Sequence, residues 1–179
     1  VQSYMKTYAI PAIIVRGSNN YGPYQYPEKL IPMSISNLME NKKIPLHGTG
    51  EHMRSWLHVK DFCSAIDMVA RSGQERTIYN VSGEQMSNLE ILEHIADLLH
   101  KDIAAHKEHV NDRPGADLRY APDSTRLQQE LGWSRAYSVQ SSLQDVVEWY
   151  RQNEAWWRKI KATKEFQEYY NKQATAQWY

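Results

Sequence analysis

Cysteine is almost absent: Cys63 is the only one in 179 residues. A lone thiol cannot close an internal disulfide, and such usage fits a reducing compartment. Cys63 itself reads as a small, buried apolar side chain. Excess charge is missing as well, with 21 Lys and Arg against 21 Asp and Glu. No basic patch dominates before the tail, which disfavours nucleic acid as a partner. No apolar run approaches the length of a membrane span, and no signal-peptide pattern opens the chain as it stands. The expectation is a soluble, cytoplasmic protein with no membrane partner. Internal repeats and low-complexity linkers are lacking too, so length and even composition predict one domain with room for a real core.

What is present alternates between strand-like and helix-like segments. Residues 1–8 read as the end of a helix, with Tyr4, Met5 and Tyr8 at helical spacing. The apolar run Ala12-Ile13-Ile14-Val15 suits a buried strand over 11–16, which Asn19-Asn20-Tyr21-Gly22-Pro23 then breaks as a loop. Residues 28–40 place Ile31, Ile35, Leu38 and Met39 on one helical face, with Pro32 tolerable only in the first turn. Asp61 can cap a helix whose inner side is Phe62, Ala65, Ile66 and Val69. Residues 77–81 read as a second strand.

Ser87-Asn88-Leu89-Glu90 is a capping box, opening a helix with Leu89, Leu92, Ile95, Ala96 and Leu99 on one side. A short helix over 123–131 stops at Gly132. Ser138 starts another, with Val139, Leu143, Val146, Val147 and Tyr150 inward. From Arg158 the chain is polar, Lys-rich and tipped with aromatics, a partly helical extension. Strands alternating with helices predict a parallel-sheet α/β class.

In such folds ligands bind where loops leave the carboxyl ends of strands. The segment from Asn19 to Pro32 offers amides and then a Lys at such a place. Six ordered blocks carry a family resemblance. They are 16–23 (Arg-Gly-Ser-Asn-Asn-Tyr-Gly-Pro), 27–32 (Pro-Glu-Lys-Leu-Ile-Pro), 47–61 (His-Gly-Thr-Gly leading to Arg-Ser-Trp-Leu-His-Val-Lys-Asp), 79–83 (Tyr-Asn-Val-Ser-Gly), 112–120 (Asp-Arg-Pro-Gly-Ala-Asp-Leu-Arg-Tyr), and Glu130-Leu131-Gly132-Trp133 with Glu148-Trp149-Tyr150. Over positions 1–157 the chain resembles the sugar-nucleotide branch of the extended short-chain dehydrogenases/reductases, most closely the dTDP-glucose 4,6-dehydratases.

The resemblance implies the carboxyl-terminal part of a Rossmann-like parallel sheet plus a smaller α/β sugar-nucleotide domain. Residues 1–22 and 56–82 would be the remnant of the NAD-binding domain, 23–55 and 83–157 the substrate domain, and 158–179 a tail. Enzymes of this family are about twice as long, and NAD is their cofactor. Their glycine-rich loop, Thr-Asp-Glu group and Tyr-x-x-x-Lys pair have no counterpart here. Tyr4 is followed four residues later by Tyr8, and no Gly-x-Gly-x-x-Gly occurs. By alignment those groups would precede Val1, so no catalytic residue and no metal ligand is assigned, and this stretch alone is expected to be inactive. The parent would be a homodimer.

The same resemblance supplies site residues. Arg54 and Arg113 would grip the two phosphates of dTDP-glucose or a related nucleotide-sugar, since a guanidinium can hold two oxygens at once. Asp112, Pro114, Gly115 and Ala116 complete the loop around Arg113. Asn19 would face the diphosphate and Asn20 the nicotinamide ring of NAD. Asn88 lies at a helix amino end, where free N–H groups and the dipole favour an anion. Lys29 and Leu30 would meet the sugar, and Pro45, Leu46 and His47 the nucleobase.

Three departures stand out. His47 replaces a frequent Tyr, which leaves thymine and uracil both open. Ala116 replaces a frequent His and has no donor. Ser55 replaces an Asp that could orient Arg54. A UDP-sugar decarboxylase or 4-epimerase is the alternative within the fold, and a non-catalytic nucleotide-sugar-binding module the alternative outside it.

Overall fold

The computed structural model describes residues 1–112 and 114–175. In chain order the elements are α1 (Gln2–Tyr8), β1 (Ile14–Gly17), β2 (Asn19–Tyr21), α2 (Leu30–Met39), β3 (Ile44–His47), β4 (Met53–His58), α3 (Val59–Ser72), β5 (Ile78–Val81) and β6 (Glu84–Ser87). They continue with α4 (Asn88–Leu98), α5 (Ile103–His106), β7 (Lys107–Val110), β8 (Arg119–Tyr120), α6 (Thr125–Leu131), α7 (Val139–Gln152), α8 (Glu154–Lys161) and α9 (Lys164–Ala174). The chain divides into two compact units rather than the one domain its length suggested.

The first unit comprises Val1–Tyr21, Arg54–Gln85 and Tyr120–Val139. Its core holds Leu57, Ala65, Val69, Tyr79, Val81, Leu127 and Trp133, with Ile13, Val15 and Phe62 packed against them. Residues 120–139, grouped by sequence with the substrate part, therefore lie in this unit, because Leu127 and Trp133 bury here. β1 pairs in parallel with β5, Ile14 opposite Ile78. β2 pairs in parallel with β4, Asn19 opposite Trp56 and Tyr21 opposite His58. The Asn19-Asn20-Tyr21 stretch is thus a short strand, not the loop its composition suggested. The chain bends at Ser18, whose N–H donates to Val81 O at 3.0 Å.

Gly83 is fixed by contact: a Cβ there would sit 1.8 Å from the Trp56 carbonyl oxygen. Only a residue without a side chain lets the two backbones approach so closely.

Two expectations for α3 change. The helix is capped by His58, whose ring accepts from Lys60 N–H at 3.4 Å, not by Asp61. Asp61 lies within the first turn, where its buried carboxylate accepts the N–H groups of Ala136 at 2.9 Å and Tyr137 at 3.1 Å. It thereby moors the segment after Trp133. Cys63 is exposed, not buried, and Ile66 is 43% exposed. The helical pattern places both on the outward face, while Ala65 and Val69 face in.

The second unit comprises Gly22–Met53, Met86–Arg119 and the described part of the chain from Gln140. β3 and β7 form a parallel pair, Ile44 opposite Lys107. α2 is buried from Ile31 to Leu38 and packs on α4 and β3. Pro32 falls in its first turn, as required, and the Ser87–Glu90 capping box at α4 is complete.

The tail belongs to this unit too. Trp157 of α8 is fully buried and donates its indole N–H to Tyr150 O at 2.8 Å, while Tyr150 donates its hydroxyl to Gln25 O at 2.6 Å. Lys161 reaches the end of α2, donating to Glu40 Oε2 at 2.8 Å, Asn37 Oδ1 at 2.9 Å and Ser36 Oγ at 3.1 Å. Arg158 and Lys42 share the same carboxylate. Burial pushes the Lys161 ammonium down, and Glu40 only partly offsets this. At Glu40 burial acts upward, but the hydrogen bonds from Lys161 and Lys42 prevail and hold its carboxyl below the usual range.

Two outcomes follow from these packing patterns. β1 has one strand partner among the described residues, and Tyr4, Tyr8 and Ile10 nearby are 64%, 66% and 40% exposed. Parallel strands are normally covered on both faces. The chain on its own should self-associate in sedimentation runs or melt broadly below about 60 °C; a sharp monomeric melt above that would count against this. A depressed folded-state carboxyl contributes stability that is complete above its unfolded value, here 4.5, and is lost as pH falls through the folded value. Glu40→Gln should accordingly cost about 3 kcal/mol at pH 7 in urea unfolding, because Lys161 stays buried without its carboxylate. The gap to the parent protein should begin to narrow below pH 4.5 and close only as pH falls through the lower folded value, where Glu40 too becomes neutral.

Candidate functional site

In the first unit the register of β2 on β4 decides which side chains share a face. Asn19 stands beside Trp56. Side chains alternate along a strand, so Arg54 falls on the face of Trp56 and Asn19, and Ser55 and Asn20 fall on the other. The two candidates for the diphosphate are therefore on one face, and the candidate for the nicotinamide is on the opposite one. Asn20 is held locally, its amide donating to Ser18 O at 3.2 Å. Ser55 is buried, 2.9 Å from Ser82 Oγ, and accepts the Gly83 N–H at 2.7 Å. The side chain of Ser55 thus bonds the 82–83 turn.

In the second unit the candidates gather around the turn that leaves β3. Pro45 and Leu46 are buried, Leu46 at 1% exposure, so a ligand would meet their backbone at most. His47 ends the strand half-buried, with Nδ1 3.2 Å from Asn111 O. Gly48 and Gly50 both have positive φ, 59° and 82°, which turns the chain back sharply. His109 Nδ1 lies 2.8 Å from Gly48 O and ties the turn to β7.

Asn88 is the first residue of α4, as expected, but the donors there are taken. Its N–H donates to His52 O at 3.2 Å, Leu89 N–H to Gly50 O at 3.0 Å, and Glu90 N–H to the Ser87 hydroxyl at 3.1 Å. The helix end is satisfied by the protein itself, so the backbone anion site read from the capping pattern is closed. Asn88 retains only its side-chain amide for a ligand.

Sequence reasoning missed His52. Its side chain is 6% exposed, and Nε2 lies 2.7 Å from Asp112 Oδ2, off the line of a straight N–H···O bond. The Asp112 carboxylate is 37% exposed. An acid partner sixty positions downstream leaves no local signal in the sequence. Arg113 lies outside the described residues. Pro114 and Gly115 are exposed, Gly115 with φ 71° and nothing within 4 Å of a Cβ, and Ala116 is half-buried.

Lys29 and Leu30 open α2. Lys29 is the residue before the first helical turn, its ammonium 2.6 Å from Glu28 Oε1 and 55% exposed. It is a mobile-type surface pair rather than a fixed anion clamp.

The family model described as GDP-mannose 4,6 dehydratase matches residues 1–146. Among curated relatives, the dTDP-glucose 4,6-dehydratase of Streptomyces niveus is 41% identical over 167 residues, spanning 91% of this chain and 48% of that protein. A solved dTDP-glucose 4,6-dehydratase from Bacillus anthracis, in complex with NAD, gives a TM-score of 0.85 at 46% identity, covering 89% of this chain and 51% of that one. The enzyme of the same name from Streptomyces venezuelae, with NAD bound, gives 0.86 at 38% identity, covering 89% and 50%. The chain spans about half the length of the relatives it matches. These likenesses agree with the blocks read from the sequence and with the parallel α/β pairing of the fold. The model covers most of its length, and the chain belongs to the GDP-mannose 4,6-dehydratase family.

Proposed function

We propose that this chain is the carboxyl-terminal, nucleotide-sugar-binding half of an NAD-dependent dTDP-glucose 4,6-dehydratase, a lyase converting dTDP-glucose to dTDP-4-keto-6-deoxyglucose and water. The observation that carries it is 36–41% identity to several dehydratases of that name over about nine-tenths of this chain. Arg54 supplies a forked, permanent cation for the diphosphate, and Asn19, on the same face of the sheet, supplies a neutral amide donor. Lys29 contributes a compact charge for sugar or phosphate oxygens. His47 offers a flat ring for stacking on a pyrimidine and an N–H for its carbonyl.

NAD would serve the parent enzyme as hydride acceptor and donor. The residues of this chain do not make a dinucleotide site: no glycine-rich loop is present, and Asn20 alone is assigned to the cofactor. What this chain does for the reaction is hold the substrate in place, which lowers a barrier but cannot start proton or hydride movement. Deoxysugar biosynthesis in the cytoplasm, as a homodimer, is the setting this reading implies. No helix among the described residues is long and apolar enough to cross a membrane.

Calorimetric titration with dTDP and UDP tests the binding role. The chain should bind dTDP, and Arg54→Ala should raise the Kd about 10- to 100-fold, the loss of a hydrogen-bonded charge worth about 1.5–3 kcal/mol. Lys29→Ala should raise it only about 2- to 5-fold, as for an exposed charge. Unchanged affinity in the Arg54 variant would refute the phosphate role. Carbon dioxide release from UDP-glucuronate by a protein carrying the complete enzyme would move the assignment to a decarboxylase, and dTDP-glucose incubated with this chain alone should stay unconverted.

A further inference from the structure

We infer that the carboxyl-terminal helices brace the strand that meets the nucleobase, with Asn37 and Tyr170 as positioning residues acting through β3 on His47; this rests on the base contact proposed above for His47. Every group in this chain of contacts lies in the second unit. Asn37 is fully buried on α2, and its side-chain amide joins three other parts of the unit. Nδ2 donates to Lys43 O at 2.7 Å and to the Tyr170 hydroxyl of α9 at 2.8 Å. Oδ1 accepts from Lys161 Nζ of α8 at 2.9 Å. An ammonium only donates and a peptide carbonyl only accepts, so Oδ1 must face Lys161 and the NH2 must face Lys43. Burial pushes the Tyr170 hydroxyl up, which keeps it neutral, accepting from Asn37 while its own proton points to Lys43 O, 3.5 Å away.

Lys43 immediately precedes β3. Its carbonyl is the group that Asn37 holds, and its ammonium donates to Ala105 O at 2.8 Å, just before β7. The start of the β3–β7 pair, Ile44 opposite Lys107, is thus fixed from both strands. The same pair ends with His47 opposite Val110, and Gly48 N–H donates to Val110 O at 2.9 Å. Ile44, Pro45 and Leu46 between these ends are buried, and close packing leaves them no room to absorb a shift at Lys43 before it reaches His47. α9 packs on the same strand, with Phe166 buried and its ring stacked on that of Tyr170. The tail thereby sets where a base-contacting side chain stands, with none of its own residues assigned to the ligand.

A double-mutant cycle in the full chain, titrated with dTDP by calorimetry and checked for folding by circular dichroism, tests this. Tyr170→Phe keeps the ring on Phe166 and removes only the hydroxyl; it should raise the Kd about 3-fold, the scale of one lost hydrogen bond. Asn37→Asp turns a carboxylate oxygen on Lys43 O and should raise it about 10-fold. In the His47→Ala background Tyr170→Phe should add nothing, because the residue through which it acts is gone. A merely structural brace would lower the melting temperature and leave the Kd of the folded chain unchanged, and that result overturns the inference. So does an undiminished Tyr170→Phe effect in the His47→Ala background. Should Asn37→Asp not fold, the Tyr170→Phe cycle alone decides. Weakened binding in His47→Ala beside an unchanged Tyr170→Phe would defeat this inference alone. Unchanged binding in His47→Ala would defeat the base contact of the proposed function, and this inference with it.

Discussion

The closeness of Gly83 to the Trp56 carbonyl is the constraint on which the first unit rests. A side chain of any size at position 83 would need to occupy the space of that oxygen, 1.8 Å from the site of a Cβ. With Gly83 in place, Ser55 can bond both Ser82 and the Gly83 N–H, and β4 is held from that side. Its opposite edge then receives Asn19–Tyr21 in a single register. A shift by one residue would exchange the two faces, sending Asn19 to the side of Ser55 and Asn20 to that of Arg54. The allocation of Asn19 and Arg54 to a common face is therefore a consequence of backbone packing several residues from either side chain.

The second unit solves a different problem, that of ending a helix without leaving donors exposed. The turn 48–52 supplies carbonyls to the first N–H groups of α4, and Ser87 supplies the third. An amino terminus satisfied in this way has little field left for an anion, since the dipole resides largely in unpaired N–H groups. Charge for the proposed nucleotide would then come from side chains. This is why a chain of zero formal net charge can still be read as an anion binder: what matters is which cations are already committed. Lys161 and Arg158 are held by Glu40, and Arg71 by Asp67.

Much of the architecture was legible because local rules and packing agreed. The capping box at Ser87, the stop at Gly132 and the inward face of α7 all appear as read. The misreadings at Asn19–Tyr21 and Asp61 share a cause: each depended on partners distant in sequence. Asn19–Tyr21 looks like a turn by composition, yet Trp56–His58 makes it a strand. Asp61 looks like a cap, yet it answers Ala136 and Tyr137, seventy-five and seventy-six positions away. Cys63 has the composition of a core residue and the helical phase of a surface one. The polar tail gave little sign of order because its anchors, Arg158 and Lys161 on Glu40 and the buried Phe166, meet partners distant in sequence.

The candidate site divides along the same line. Arg54, Asn19 and His47 were named as candidates because their positions lie inside dense local patterns. His52 was not, although its ring lies 2.7 Å from Asp112 and its carbonyl accepts the Asn88 N–H. Its pair with Asp112 spans sixty positions, which no local window of sequence contains. The two basic candidates also differ in a way composition hides. Lys29 begins with a carboxylate at 2.6 Å, so a phosphate must displace Glu28 before it gains anything. Half-exposed ion pairs exchange partners at little cost and little profit, because solvent already screens both states. Arg54 lies on a strand whose register is locked on one side by Gly83 and on the other by Asn19–Tyr21, so its backbone does not need to be ordered when ligand arrives. On the proposed function, binding strength for a doubly charged group would fall on the cation whose position is settled beforehand, with the exposed lysine left to tune it.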